Sequence, residues 1–390
     1  MKKIAYFLSY AYSIEEGILH GTIDRFKEEL KYLSKYFIID VYSRDNSDCL
    51  KVFAEALGLE NVKFYGIPIS RVSLQHSKNT PRFIRRIFSI LMLIQYYSLT
   101  PYTKKRLDEA KTIYVYHVSG GMRAVLYKKF FKPGVKVVVR YNWSWGDFIK
   151  ANRGYLEHKF FCFLEKFILK NSDIILATTE KLKKQADNIV KGKTIVTIVP
   201  NWVDCNNFKP IDINKYFDII SVGRLCEQKN HKLLLEAVNL YNKGQNSKSL
   251  KVLIISRGDL KHSLLDYAKN NNIDFTLIEK VENNSMPQYF NKASLFVMPS
   301  RYEGHPKAML EAMACGLPVI GTEVVGIKDV IVNGENGILS KENPVDLKDK
   351  IKILMQDNDY RQKIGNNARQ YVLEGCSLES TLNKIKEYLS

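Results

Sequence analysis

The chain has 390 residues, 45% of them hydrophobic, with six cysteines and a formal net charge of +18. That length exceeds what one hydrophobic core normally fills, so two domains of roughly 150 to 200 residues each are expected. Cys49, Cys162, Cys205, Cys226, Cys315 and Cys376 include no C-x-x-C pair, which fits neither a disulfide framework nor a zinc site and points to a reducing, cytoplasmic setting.

Lys2 and Lys3 precede an apolar run that is short, has no small-residue cleavage site and is followed by Glu15 and Glu16. It reads as a first strand, residues 3–9, and not as a signal peptide. A polar stretch with Gly17 and Gly21 follows, then an amphipathic helix over 22–33 that puts Phe26, Leu30 and Leu33 on one face. Strands are predicted at 37–42, 113–117, 135–140, 174–177 and 194–199, with a helix beginning after Gly120-Gly121. Pro200 and Asn201 end the last of these and mark a boundary. Beyond it, strands at 217–222, 251–256, 275–278, 293–298 and 319–321 alternate with helical segments, and 378–389 reads as a final helix. This alternation predicts parallel sheets with helices on both faces. No solenoid repeat and no low-complexity segment interrupts it.

The charge is uneven. Residues 1–200 hold 34 Lys and Arg against 18 Asp and Glu, while residues 201–390 hold 25 against 23. The first half therefore suits an acidic partner, nucleic acid or an anionic membrane surface, unless the surface is simply basic throughout. Arg82, Arg85 and Arg86 lead into an apolar and aromatic stretch that runs to Tyr97. It falls short of the roughly 20 apolar residues a membrane span needs. Two readings stand: a segment lying along a membrane with Phe88, Leu91 and Tyr96 dipping in, or a buried core helix.

Two motifs carry chemistry. Glu303 sits in a polar loop between the 293–298 strand and a helix that Gly316-Leu317-Pro318 ends; Glu311 lies eight residues on, inside that helix. A helix start favours anions such as phosphate, and Gly304 adds little bulk there. Two carboxylates flanking it suit hydroxyl groups beside the phosphates better than the phosphates themselves, the layout of a sugar nucleotide. Arg224 and Lys229 occupy the loop after the 217–222 strand, where open α/β sheets bind ligands, and their expected partner is a diphosphate, with solvated surface cations as the alternative. His305, inside the Glu303 loop, either hydrogen-bonds the ligand or faces water. His117, at a strand end, has substrate contact and core packing as equal readings. The one Asp-x-Asp, Asp357-Asn358-Asp359, reads as a turn and not a metal-ligand set.

The run from Phe296 through Glu303 and Glu311 to Ile320 resembles the Glu-x7-Glu signature of retaining glycosyltransferases of family 4. Gly223-Arg224-Leu225 with Lys229 resembles that family's Gly-Arg-Leu-x-x-x-Lys element, and Pro200-Asn201-Trp202-Val203-Asp204 its hinge segment. The resemblance implies a GT-B fold, two facing Rossmann-like domains with a cleft between them. Residues 1–200 would take the acceptor, 201–375 the nucleotide sugar, and 376–390 would form a helix returning to the first domain. It also implies a retaining, metal-independent and cofactor-free transfer from a nucleoside-diphosphate sugar to a saccharide or lipid-linked saccharide, in assembly of cell-surface polysaccharide or lipopolysaccharide. Arg224 and Lys229 would grip the pyrophosphate, Glu303 would face the donor sugar, Glu311 would hold the ribose hydroxyls, and Gly304, His305, Pro306 and Lys307 would complete the donor loop. The protein would be cytoplasmic or peripheral on the cytoplasmic membrane face, and no nucleic acid is expected.

Departures from the family pattern are local. Where many members carry a histidine after the strand predicted at 135–140, this chain reads Arg140-Tyr141-Asn142-Trp143, so Tyr141 or Asn142 substitutes or the role is absent. The glycine-rich turn after the 251–256 strand is altered to Ser256-Arg257-Gly258-Asp259. A sugar-nucleotide epimerase on the same fold, or a basic nucleic-acid-binding protein, are the rival readings.

Overall fold

The computed structural model describes residues 1–8, 23–43, 47–66, 107–144, 155–244 and 249–390. Residues 9–22, with the predicted Gly17/Gly21 stretch, and the basic and apolar 82–97 segment lie outside the described residues. The chain forms two compact units: one comprises Met1–Thr178, Leu182–Ile198 and Lys384–Ser390, the other Thr179–Lys181 and Val199–Asn383.

In the first unit seven strands form one parallel sheet in the order β3-β2-β1-β4-β5-β6-β7. They are β1 (Lys2–Phe7), β2 (Phe37–Ser43), β3 (Val62–Gly66), β4 (Thr112–Val115), β5 (Lys136–Tyr141), β6 (Ile174–Ala177) and β7 (Ile195–Ile198). The described helices are α1 (Ile23–Leu33), α2 (Ser47–Leu57), α3 (Gly121–Phe130), α4 (Tyr155–Lys170) and α5 (Glu180–Val190). α3 and α4 come close where Gly121 has no side chain: a β-carbon there would lie 2.5 Å from Ile168 Cγ2. The C-terminal residues pack within this unit, Thr112 Oγ1 donating to the Leu389 carbonyl at 3.3 Å and Tyr388 to Thr197 Oγ1 at 3.3 Å.

The apolar face of α1 holds Phe26, Leu30 and Leu33 as its spacing predicts, but Glu29 is fully buried beside them. Its carboxylate accepts from the Tyr6 hydroxyl at 2.9 Å and from Arg140 at 3.4 Å. Burial, reinforced by the Glu29 charge, raises the Tyr6 phenol far above its ordinary range and keeps it neutral.

The second unit is a six-stranded parallel sheet of order β10-β9-β8-β11-β12-β13. Its strands are β8 (Phe217–Val222), β9 (Lys251–Ile255), β10 (Asp274–Ile278), β11 (Ala293–Met298), β12 (Val319–Thr322) and β13 (Ile338–Ser340). The helices are α6 (His231–Lys243), α7 (Lys261–Asn270), α8 (Met286–Asn291), α9 (Lys307–Ala314), α10 (Pro344–Gln356), α11 (Asn358–Gly375) and α12 (Leu378–Leu389), the last ending in the first unit. Alternate residues serve opposite faces: Ile220, Leu253 and Phe296 join one core cluster, Ile219, Val252 and Leu295 the other. With both faces covered, these strands read as continuous apolar runs. Asp357 accepts from the Tyr360 amide at 2.8 Å and so caps α11, which gives the Asp-x-Asp a structural part. Among the described residues no helix is long and apolar enough to cross a membrane, and no three His, Cys, Asp or Glu side chains group as a metal site.

Candidate active site

Strand order in the second unit reverses between β8 and β11, and the loops leaving the carboxyl ends of these two neighbours are the two that carry the motifs. That is where an open parallel sheet leaves a crevice for ligands. Lys229 Nζ donates to Glu303 Oε1 at 2.5 Å, with the side chains 18% and 8% exposed. Mutual neutralisation lets both charges sit so far out of water. Gly223 makes room for the lysine, since a β-carbon there would meet Lys229 Cδ at 3.2 Å.

The two loops are bound along their lengths. The Arg301 amide donates to the Gln228 carbonyl at 2.8 Å and Gln228 Nε2 to the Tyr302 carbonyl at 3.0 Å. Arg301 also reaches Glu227 at 2.8 Å and Glu342 at 2.9 Å, which brings in the loop after β13. Exposed pairs of this kind add little energy, but two from one guanidinium fix its direction. Behind the loop, Gly326 adopts φ +88° and a β-carbon there would lie 2.2 Å from the Gly304 carbonyl oxygen, so only glycine fits. Asn201 Nδ2 donates to the His305 carbonyl at 3.2 Å and ties the 200–204 segment to the same loop.

α9 begins at Lys307. Its N-cap, Pro306, makes no side-chain cap hydrogen bond, and the positive end of the helix dipole faces the loop that carries Glu303. Gly304 is exposed, Lys307 partly so, and Pro306 and His305 are buried, which removes the water-facing reading of His305. Glu311 stands on the second turn of α9, partly exposed; burial and its carboxylate push the Cys315 thiol one turn on up to about 12. Arg224 is exposed on the β8 loop.

His231 is a residue sequence reasoning missed. It is the first residue of α6, after Asn230 in a left-handed conformation at φ 49°. Its Nε2 donates to the Gly223 carbonyl at 3.1 Å and its Nδ1 accepts from Ser221 Oγ at 3.3 Å, which holds the loop from below. Burial, with Lys229's charge adding to it, pushes the imidazole down to about 4 against the pull of the carbonyl. A depressed histidine stabilises the fold fully above its unfolded pKa near 6.5 and loses that stabilisation as pH falls toward the folded value. We expect about 3 kcal/mol of stability to vanish between pH 6.5 and 4 through this residue. Denaturant unfolding of wild type and His231→Gln across that window checks it: the wild type should show the steeper loss.

In the first unit, His117 is buried and its Nδ1 donates to Asn142 Oδ1 at 2.8 Å, so these two candidates meet. Tyr141 does not join them. Period-2 alternation along β5 turns it to the opposite face, where its hydroxyl bonds Glu165 and it is 1% exposed; it is a core residue and no stand-in for a ligand-facing histidine.

A concavity of about 490 Å³ in the second unit lies elsewhere: Lys215, Tyr216, Phe217 and Tyr289 line it at the amino ends of β8 and β11. It is remote from the motif loops, at the end of the sheet opposite the crevice.

Residues 205–371 match the family model described as glycosyl transferases group 1. An uncharacterised glycosyltransferase of Methanocaldococcus jannaschii is 30% identical over 210 residues, 53% of this chain and 56% of that one. The Escherichia coli UDP-Gal:alpha-D-GlcNAc-diphosphoundecaprenol alpha-1,3-galactosyltransferase is 27% identical over 206 residues, 49% of this chain and 53% of that one. The chain thus spans about half the length of the curated relatives it matches. Among solved structures, sucrose-phosphate synthase from Thermosynechococcus elongatus superposes with a TM-score of 0.74 at 16% identity, covering 99% of this chain and 98% of its own. The fold is the GT-B fold of two Rossmann-like domains, and the stretch that matches the group 1 glycosyl transferase model lies within the second of them.

Proposed function

We propose that the chain is a retaining, metal-independent glycosyltransferase. It takes a sugar from a nucleoside-diphosphate donor and passes it to a hydroxyl of a saccharide or lipid-linked saccharide in cell-surface polysaccharide assembly. The observation that carries the reading is the 2.5 Å Lys229–Glu303 contact, which joins a cationic loop and a carboxylate loop at the strand-order reversal. Residues 201–375 take the donor and residues 1–200 the acceptor, with 376–390 closing back on the first domain. Arg224, Lys229 and the positive end of α9 hold the diphosphate; Glu303 orients the sugar and Glu311 the ribose, with Gly304, His305, Pro306 and Lys307 shaping the loop.

In the reaction the acceptor oxygen bonds to the anomeric carbon as the bond from that carbon to the phosphate oxygen breaks. The departing phosphate, on the same face, accepts the acceptor's proton. Positive charge at the departing group stabilises the transition state more than the ground state, because negative charge grows there as the bond opens. His117 and Asn142 serve the acceptor or the donor sugar from the first domain. The E. coli relative acts from UDP-galactose on a diphosphoundecaprenol-linked sugar, which supports a nucleotide-sugar donor, a lipid-linked acceptor and a peripheral place at the cytoplasmic membrane face. Incubation with a panel of UDP-, GDP- and ADP-sugars and a short lipid-linked saccharide, followed by NMR of the product, tests the reading. It predicts a product with the donor's anomeric configuration; inversion, or donor turnover that ignores the acceptor, rejects it.

A further inference from the structure

The outer stripe of α4 is unlike a solvated helix face. Tyr155, Lys159, Phe163, Lys166 and Lys170 follow one another at spacings of three and four, all exposed, with Tyr155 at 69% and Phe163 at 63%. The opposite side of the helix, Leu164, Ile168 and Leu169, is in the core. The end of α3 extends the stripe. Phe130 is 66% exposed, and Lys129 Nζ stands 5.7 Å over the ring of Phe167 on α4 and 6.0 Å over Phe130. Large aromatic side chains clustered on one surface expose apolar area that a monomer in water normally buries.

We propose that this face, the end of α3 with the outer stripe of α4, docks on an anionic lipid surface. Three observations choose that occupant. Aromatic rings alternate with lysines along one line, the arrangement in which rings enter the headgroup boundary while ammonium groups stay level with lipid phosphates. The acids of α4 do not oppose it, since Glu165 is buried against Tyr141 and Glu157 is half-buried. The half of the chain that owns this face also carries nearly all of the excess positive charge. The inference rests on the peripheral-membrane part of the proposed function and is independent of the sugar-transfer part.

Flotation with phosphatidylcholine vesicles, with and without phosphatidylglycerol, tests it. The wild type is expected to float only with the anionic vesicles and to be released by salt. Phe130→Ser/Phe163→Ser removes the apolar contacts and Lys159→Glu/Lys166→Glu reverses the charge. Each is expected to lower partitioning roughly tenfold or more. Calorimetry with uridine, guanosine and adenosine diphosphates on the same variants should match the wild type, which separates lost docking from lost folding and, through the wild type alone, from failure of the sugar-transfer reading. The inference is overturned if the wild type does not float, if both variants float like it, or if sedimentation shows a wild-type dimer that the variants dissociate.

Discussion

Glu303→Gln is expected to lower turnover of sugar transfer by roughly 10² to 10³, the size of effect seen when one preorganised polar contact to a transition state is removed. Diphosphate affinity should move the other way or stay put. The Glu303 carboxylate neutralises Lys229 at 2.5 Å, with both side chains largely out of water. A neutral glutamine of the same shape leaves that ammonium uncompensated and more attractive to a phosphate oxygen. Steady-state kinetics with calorimetry on one preparation reads both. A parallel fall in turnover and diphosphate affinity would mean that the glutamate merely props the loop.

The largest expected stability effect lies in the first unit. Glu29 and Arg140 form an ion pair with side chains 0% and 3% exposed, joined by Tyr6. Removing one partner of a buried pair strands the other charge, so Arg140→Met should cost about 3–5 kcal/mol. Removing both should cost less than the two single changes together, because no charge is left stranded. Urea unfolding of Glu29→Met, Arg140→Met and the double variant checks this. A single-variant loss under about 1 kcal/mol would contradict it.

That pair also shows where sequence reading stops. Phe26, Leu30 and Leu33 announce the buried face of α1, but nothing local marks Glu29 as part of it, because its partner is 111 residues away. Strands buried on both faces are legible: 217–222 and 293–298 emerge as β8 and β11 with the expected bounds. The edge strands β3 and β13 are not, the first because only Val62 of its five residues is buried, the second because it has three residues. At the candidate site, the Glu303 and Arg224–Lys229 loops stand out through residue type and spacing. The parts that set their geometry do not. Gly326 matters for where its missing β-carbon would fall, 2.2 Å from the Gly304 oxygen, and His231 for the carbonyl its ring holds; both are facts of tertiary contact. Tyr141 fails for a related reason: one step along a strand exchanges faces, and the core took it.

The central claim is that one loop's cations and the start of α9 clasp a diphosphate. Calorimetric titration of uridine, guanosine and adenosine diphosphates into the wild type and into Arg224→Ala/Lys229→Gln tests it most directly. Loss of two charge-assisted phosphate contacts at about 1.5–3 kcal/mol each predicts an affinity at least roughly a hundredfold weaker for whichever nucleotide the wild type binds. Three nucleotides that all fail to bind the wild type, or a double variant that binds as tightly as the wild type, would contradict it.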